Sequence, residues 1–129
     1  MEPIVLRLDD QRPWTSNWAR SARHWSDVAR RTAAWRRAFE VLGLLHVGRA
    51  LGPCEVIVTP YLADRRGQQD CAACAPCAKA AIDGLVDAGL WPDDTAEWIT
   101  RVTFLPPVYG QGNALQLELR PAGWTIEVR

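Results

Sequence analysis

The chain has 129 residues, nearly half of them apolar and a little under a quarter charged, an ordinary globular composition with enough length for one core of its own. No apolar run approaches the roughly 18 residues of a membrane span. The opening Met1-Glu-Pro-Ile-Val-Leu-Arg7 lacks the basic start and long apolar core of a signal peptide. The expectation is a cytoplasmic protein that contacts no membrane and keeps its four cysteines reduced.

Formal charge sums to zero but is unevenly spread: residues 1–50 carry nine arginines against five carboxylates, and residues 51–129 carry six cations against ten carboxylates. A basic half can follow a phosphate backbone while an acidic half holds a cation. The plainer reading is a set of solvated arginines on a helix face.

Ile4 to Leu8 reads as a short opening strand, and Asp9 to Asn17, polar and holding Pro13, as a loop. From Asn17 to Leu45 the chain is rich in Ala, Arg and Trp and reads as helical, with Ser26-Asp27 a plausible start inside it. Val28, Ala34 or Trp35, Ala38, Phe39, Leu42 and Leu45 recur at three- and four-residue steps and form its apolar face. Gly48 to Pro53 connects to a β-rich strand, Glu55 to Thr59, and Pro60 to Gln69 is a loop. Pro76 suits the first turn of a second helix, because its missing N–H has no partner there. That helix buries Ala78, Ala81, Ile82, Leu85 and Val86 and stops at Gly89. Trp98 to Leu105, Ala114 to Leu119 and Trp124 to Val128 read as strands; Leu115, Leu117 and Leu119 alternate with Gln116 and Glu118, so one face is buried. The result is one α+β domain over residues 1–129, a mixed β-sheet with two main helices.

Chemistry concentrates between Asp70 and Asp94. Asp70 enters the second helix, Lys79 sits one turn before Asp83, and Asp93-Asp94 follow the helix end. Gathered carboxylates can hold a hard divalent cation, and a lysine beside them can contact a phosphate. Asp87, on the same side as Lys79 and Asp83, reads as solvated.

Three stretches carry a family resemblance: Asp64-Arg65-Arg66, the segment Lys79-Ala-Ala-Ile-Asp83-Gly-Leu-Val-Asp-Ala-Gly89-Leu-Trp-Pro-Asp93-Asp94, and the earlier Asn17 with Arg23-His24-Trp25 and Arg31-Thr32-Ala-Ala-Trp35-Arg36. Concentrated in these places, a resemblance that covers most of the chain is to the RusA-like family of Holliday junction resolvases; the lysine-to-aspartate segment is the specific one. The resemblance implies a RusA-like fold, a homodimer, and a magnesium-dependent (or manganese-dependent) endonuclease of phages, prophages and bacteria. Its substrate would be four-way or other branched DNA in recombination and repair. It implies catalytic roles for Asp70, Lys79, Asp83 and Asp94, with Asp70, Asp94 and neighbouring Asp93 as metal ligands. In-line phosphodiester hydrolysis needs an activated water and help for the departing oxygen, which divalent ions supply. Lys79 would stabilise phosphate charge, and Asp83 would hold Lys79. Asn17, Arg20, Arg23, Arg30, Arg31, Arg65 and Arg66 would contact DNA phosphates, which position a protein without reading bases.

One departure matters. The family motif runs Asp-x-Asp-Asn before its lysine; with Asp70 on the first aspartate, Ala72 stands at the second and Ala73 at the asparagine. Magnesium can be held by one or two carboxylates with waters and phosphates, so catalysis survives as one reading. A catalytically weakened or inactive junction-binding protein is the other. A third rests on Cys71-x-x-Cys74-x-x-Cys77, whose thiolates could take zinc or an iron–sulfur cluster. It lacks a second Cys-x-x-Cys; the alternative use is small residues packed around a helix start. Trp14 and Trp18 either stack on exposed bases or pack into the core.

Overall fold

The computed structural model describes residues 2–21, 25–65 and 70–123. The elements run β1 (Ile4–Asp9), α1 (Ser16–Ser21), α2 (Trp25–His46), β2 (Cys54–Leu62), α3 (Ala75–Asp87), β3 (Ile99–Phe104), β4 (Val108–Tyr109) and β5 (Ala114–Pro121). The sheet order is β1-β5-β2-β3, with β4 paired to β2 beyond the end of β3. β5 runs antiparallel to both β1 and β2, whereas β3 and β4 run parallel to β2. This is an α+β domain on a mixed five-stranded sheet with two main helices. No helix among the described residues is long and apolar enough to cross a membrane.

The alternation in β5 does what its pattern predicts. Leu115, Leu117 and Leu119 are buried while Gln116 and Glu118 are only partly so, and the register sets Leu6 against Leu117 and Leu117 against Val58. Trp35, Phe39, Ala78, Ala81 and Leu85 join these residues in one core cluster. Apolar burial at roughly 25 cal/mol per Å² makes this cluster the main source of stability.

β2 runs three residues past its expected end at Thr59, through Pro60 to Leu62. A proline cannot donate to a ladder, which argued for a loop there. The sheet accommodates it because pairing with β3 ends at Val58 and pairing with β4 begins at Tyr61, so Pro60 falls in the gap. The long N-terminal helix begins one residue earlier than expected, at Ser16, and is described as α1 and α2, with residues 22–24 between them outside the described set. Its apolar face is also narrower: Trp35 and Phe39 are buried, but Ala34 is exposed and Leu45 is 73% exposed. The strand expected over Trp124 to Val128 lies outside the described residues.

α3 begins and ends as its residues dictate. Pro76 occupies its first turn. At its C-terminus Gly89 takes φ +88°, its N–H donates to Val86 O (2.9 Å), and Leu90 N–H reaches back to Leu85 O (3.1 Å). This is a Schellman stop, which needs a residue tolerant of the left-handed conformation. It turns the chain sharply after the helix, so the Pro92 to Asp94 loop returns toward α3.

α2 and α3 cross in close contact at Gly84. A Cβ there would stand 2.2 Å from the carbonyl oxygen of Arg36 and 3.0 Å from the amide nitrogen of Glu40. Arg36 also fastens the crossing through its side chain, which donates two hydrogen bonds to Asp87 (2.6 and 2.9 Å). Asp87, expected to be merely solvated, thus ties α3 to α2. These bonds pull its carboxyl below the ordinary carboxylate value.

Candidate functional site

The turn after α3 brings together residues that periodicity alone could not. Lys79 donates to Asp83 Oδ1 (2.7 Å), one helical turn on, and also to Asp94, which lies 15 residues further along the chain. The two carboxylates converge on one ammonium at the protein surface. Lys79 is raised above the ordinary lysine value, first by the hydrogen bond to Asp83 and then by that to Asp94. Asp94 is lowered by its hydrogen bond with Lys79 and the accompanying charge attraction. At neutral pH the pair is therefore ammonium and carboxylate, and Lys79 cannot act as a general base there.

Asp93 is committed elsewhere. Its Oδ1 accepts from the backbone N–H (3.1 Å) and hydroxyl (2.7 Å) of Thr95, closing a local turn that holds the loop. Asp94 is the member of the adjacent pair that meets Lys79. Asp70 is exposed at the turn entering α3, where its carbonyl accepts from Ala73 N–H (3.2 Å).

The N-terminal segment is fixed against this same turn. Ser16 N–H donates to Ala73 O (3.1 Å). Trp14 and Cys77 exchange two hydrogen bonds: the backbone N–H of Trp14 donates to Cys77 Sγ (3.0 Å), and the thiol donates to Trp14 O (3.1 Å). Thr15 caps α1 by accepting from Trp18 N–H (3.0 Å). Asn17 and Arg20 on α1 bond to each other, Arg20 donating to the Asn17 side-chain oxygen. Nothing in the residue spacing signalled the Trp14 and Cys77 pair.

The other arginines fall in two places. Arg30 pairs with Asp27 (3.4 Å), and the Arg31 guanidinium lies 5.0 Å from the Trp18 ring centroid. Arg65 lies 4.3 Å from the centroid of Tyr109. Arg23 and Arg66 lie outside the described residues. Trp14 is buried, edge-on to Trp35 with ring centroids 5.1 Å apart, so it serves the core rather than base stacking.

No protein-family model matches this chain, and no curated protein does. Function therefore has to be read from the side chains themselves.

Among the described residues, no three or more His, Cys, Asp or Glu side chains form a metal-binding group. Carboxylate oxygens are the donors a hard cation takes. Magnesium needs only one or two carboxylates, the remainder being waters and substrate phosphates. Asp94 is ionised and 38% exposed, and Asp70 is exposed.

Three of the four thiols are buried. Cys74 and Cys77 are buried, and desolvation pushes the Cys74 thiol up to about 11 and that of Cys77 higher still, so both stay protonated. Cys77 uses its S–H to satisfy a buried carbonyl. Cys71 is exposed and Cys54 buried. Titration of the native protein with a disulfide reagent at pH 8 should accordingly label Cys71 fast and the other three only on unfolding. Rapid labelling of Cys74 or Cys77 as well would show that the start of α3 opens readily.

Proposed function

We propose that this chain is a RusA-like, magnesium-dependent endodeoxyribonuclease that resolves Holliday junctions and other branched DNA, acting in the cytoplasm as a homodimer. The observation that carries the reading is the meeting of Lys79, Asp83 and Asp94 from two separate stretches, the spacing on which the family resemblance rests. The backbone bond from Ser16 to Ala73, which fixes the start of α1 against the turn after Asp70, supports it, because Arg20 on that helix could then reach a phosphate bound near Asp70.

In this reading Asp70 and Asp94 would hold magnesium. When bound, the ion supplies Lewis-acid activation of a water and of the scissile phosphate. Lys79, permanently charged, binds a non-bridging phosphate oxygen and offsets the charge that builds in the transition state. Asp83 keeps Lys79 oriented when phosphate or metal draws on Asp94. Val41, Leu44 and Leu45, apolar side chains exposed at three- and four-residue spacing on α2, are a surface that a second copy would cover.

A second reading, a junction-binding protein without efficient cleavage, is favoured by two features. Alanines stand at positions 72 and 73, and Asp94 is engaged by Lys79. Ala72→Asp separates the two. Ala72 is exposed, so the change is tolerable to the fold. A large gain in junction cleavage would identify the natural chain as crippled; unchanged cleavage that was already substantial would show that the present carboxylates suffice.

A further inference from the structure

An open pocket of about 470 Å³, lined by none of the acidic-centre residues, lies between α1, the first half of α2 and the loop before α1. Its lining includes Trp18, Arg30, Arg31, Asp27 and Gln11. The buried Trp35 and the exposed Ala34 complete the lining. The size is that of a small-molecule site. The chemistry is mixed in a particular way: an aromatic face, two permanent cations, one carboxylate and one amide.

We propose that this cavity receives a single unpaired nucleotide of DNA. The inference rests on the nucleic-acid reading above and extends it from the phosphate backbone to one base. An indole is a stacking platform for any nucleobase. Arginine is suited to the phosphate by its planar fork of donors, and Arg31 already lies against the indole. Asp27, whose Oδ1 pairs with Arg30 and whose other oxygen has acceptor capacity left, and Gln11 are the groups that distinguish the site from a simple anion pocket. A carboxylate would repel a phosphate but accepts hydrogen bonds from an exocyclic amino group, as on the Watson–Crick edge of cytosine. A base within a duplex keeps its face hidden in the stack, so a ligand that stacks on the indole is a base out of the stack. The preference expected is for amino-bearing bases over thymine.

The test is binding of fluorescent single-stranded oligodeoxycytidine and oligothymidine to the full chain in EDTA, so that no metal chemistry contributes. Ala34→Trp fills the cavity from an exposed helix position and is expected to keep the native melting temperature. The proposal predicts that it weakens oligodeoxycytidine binding at least about tenfold. It also predicts that Asp27→Asn narrows the preference for cytosine over thymine. Undiminished binding to the Ala34→Trp protein, or no binding by the natural chain, overturns the proposal. Deoxycytidine monophosphate binding as tightly as the oligonucleotide overturns the DNA assignment in favour of a free nucleotide. Cleavage of an intact junction with magnesium is scored separately: cleavage without the oligonucleotide effects removes this site and leaves the resolvase, and the reverse result keeps this site and removes the resolvase.

Discussion

Gly84→Ala should destabilise the protein by roughly 3 kcal/mol, about 10 °C in melting temperature. Alanine normally favours a helix over glycine by about 1 kcal/mol, so propensity alone predicts the opposite sign. Packing wins because the new methyl would stand 2.2 Å from the Arg36 carbonyl oxygen, a backbone atom that cannot rotate away. The helices must separate, loosening the contact of Trp35 and Phe39 with Ala81 and Leu85 and stretching the Arg36 pair with Asp87. Gly52→Ala is the control. A Cβ at Gly52 meets nothing within 4 Å, and the change should stay within about 0.5 kcal/mol. Equal melting temperatures for the two variants would mean that the crossing is not as close as described.

Lys79→Ala and Asp94→Asn should each lower junction cleavage by about 10²- to 10³-fold while leaving junction binding in calcium nearly intact. Both side chains are substantially exposed, so neither loss should unfold the protein. The pH dependence follows from the shifts. The Asp94 carboxyl is depressed in the fold, so its stabilisation is present above the unfolded value of 3.8 and is lost as pH falls through the lower folded value. The Lys79 ammonium is raised, so its contribution is present below the unfolded value of 10.5 and is lost as pH rises through the folded one. Between those limits the melting-temperature difference between the natural chain and Asp94→Asn should be flat, closing only in strong acid or strong base. A step near pH 7 would show that another group titrates in the cluster.

What was legible in the residues, and what was not, follows physical lines. Alternation made β5 readable because a strand buried on one face has a period of two, and Gly89 marked the end of α3 because the stop needs a positive φ. The Lys79 and Asp83 pair is readable from helical spacing. The meeting of Lys79 with Asp94 depends on how the turn after Gly89 folds back, which spacing does not encode; only the family resemblance pointed to it. Gly84 gave no signal, since its role lies in the backbone of another helix. Cys77 resembled part of a metal motif, yet its sulfur satisfies two backbone groups of Trp14, a contact 63 residues apart in the chain. Asp27 looked like a helix-start residue and is one; that it also lines a cavity with Trp18 is a tertiary fact.

The measurement closest to the central claim is cleavage of a labelled four-way junction with magnesium or manganese, against a linear duplex, with binding followed in parallel in calcium. The account predicts paired, symmetric cuts in the junction, none in the duplex, and loss of cutting in Asp94→Asn. Tight junction binding with no cutting under either metal would contradict it and leave a DNA-binding protein whose acidic centre serves only to hold Lys79.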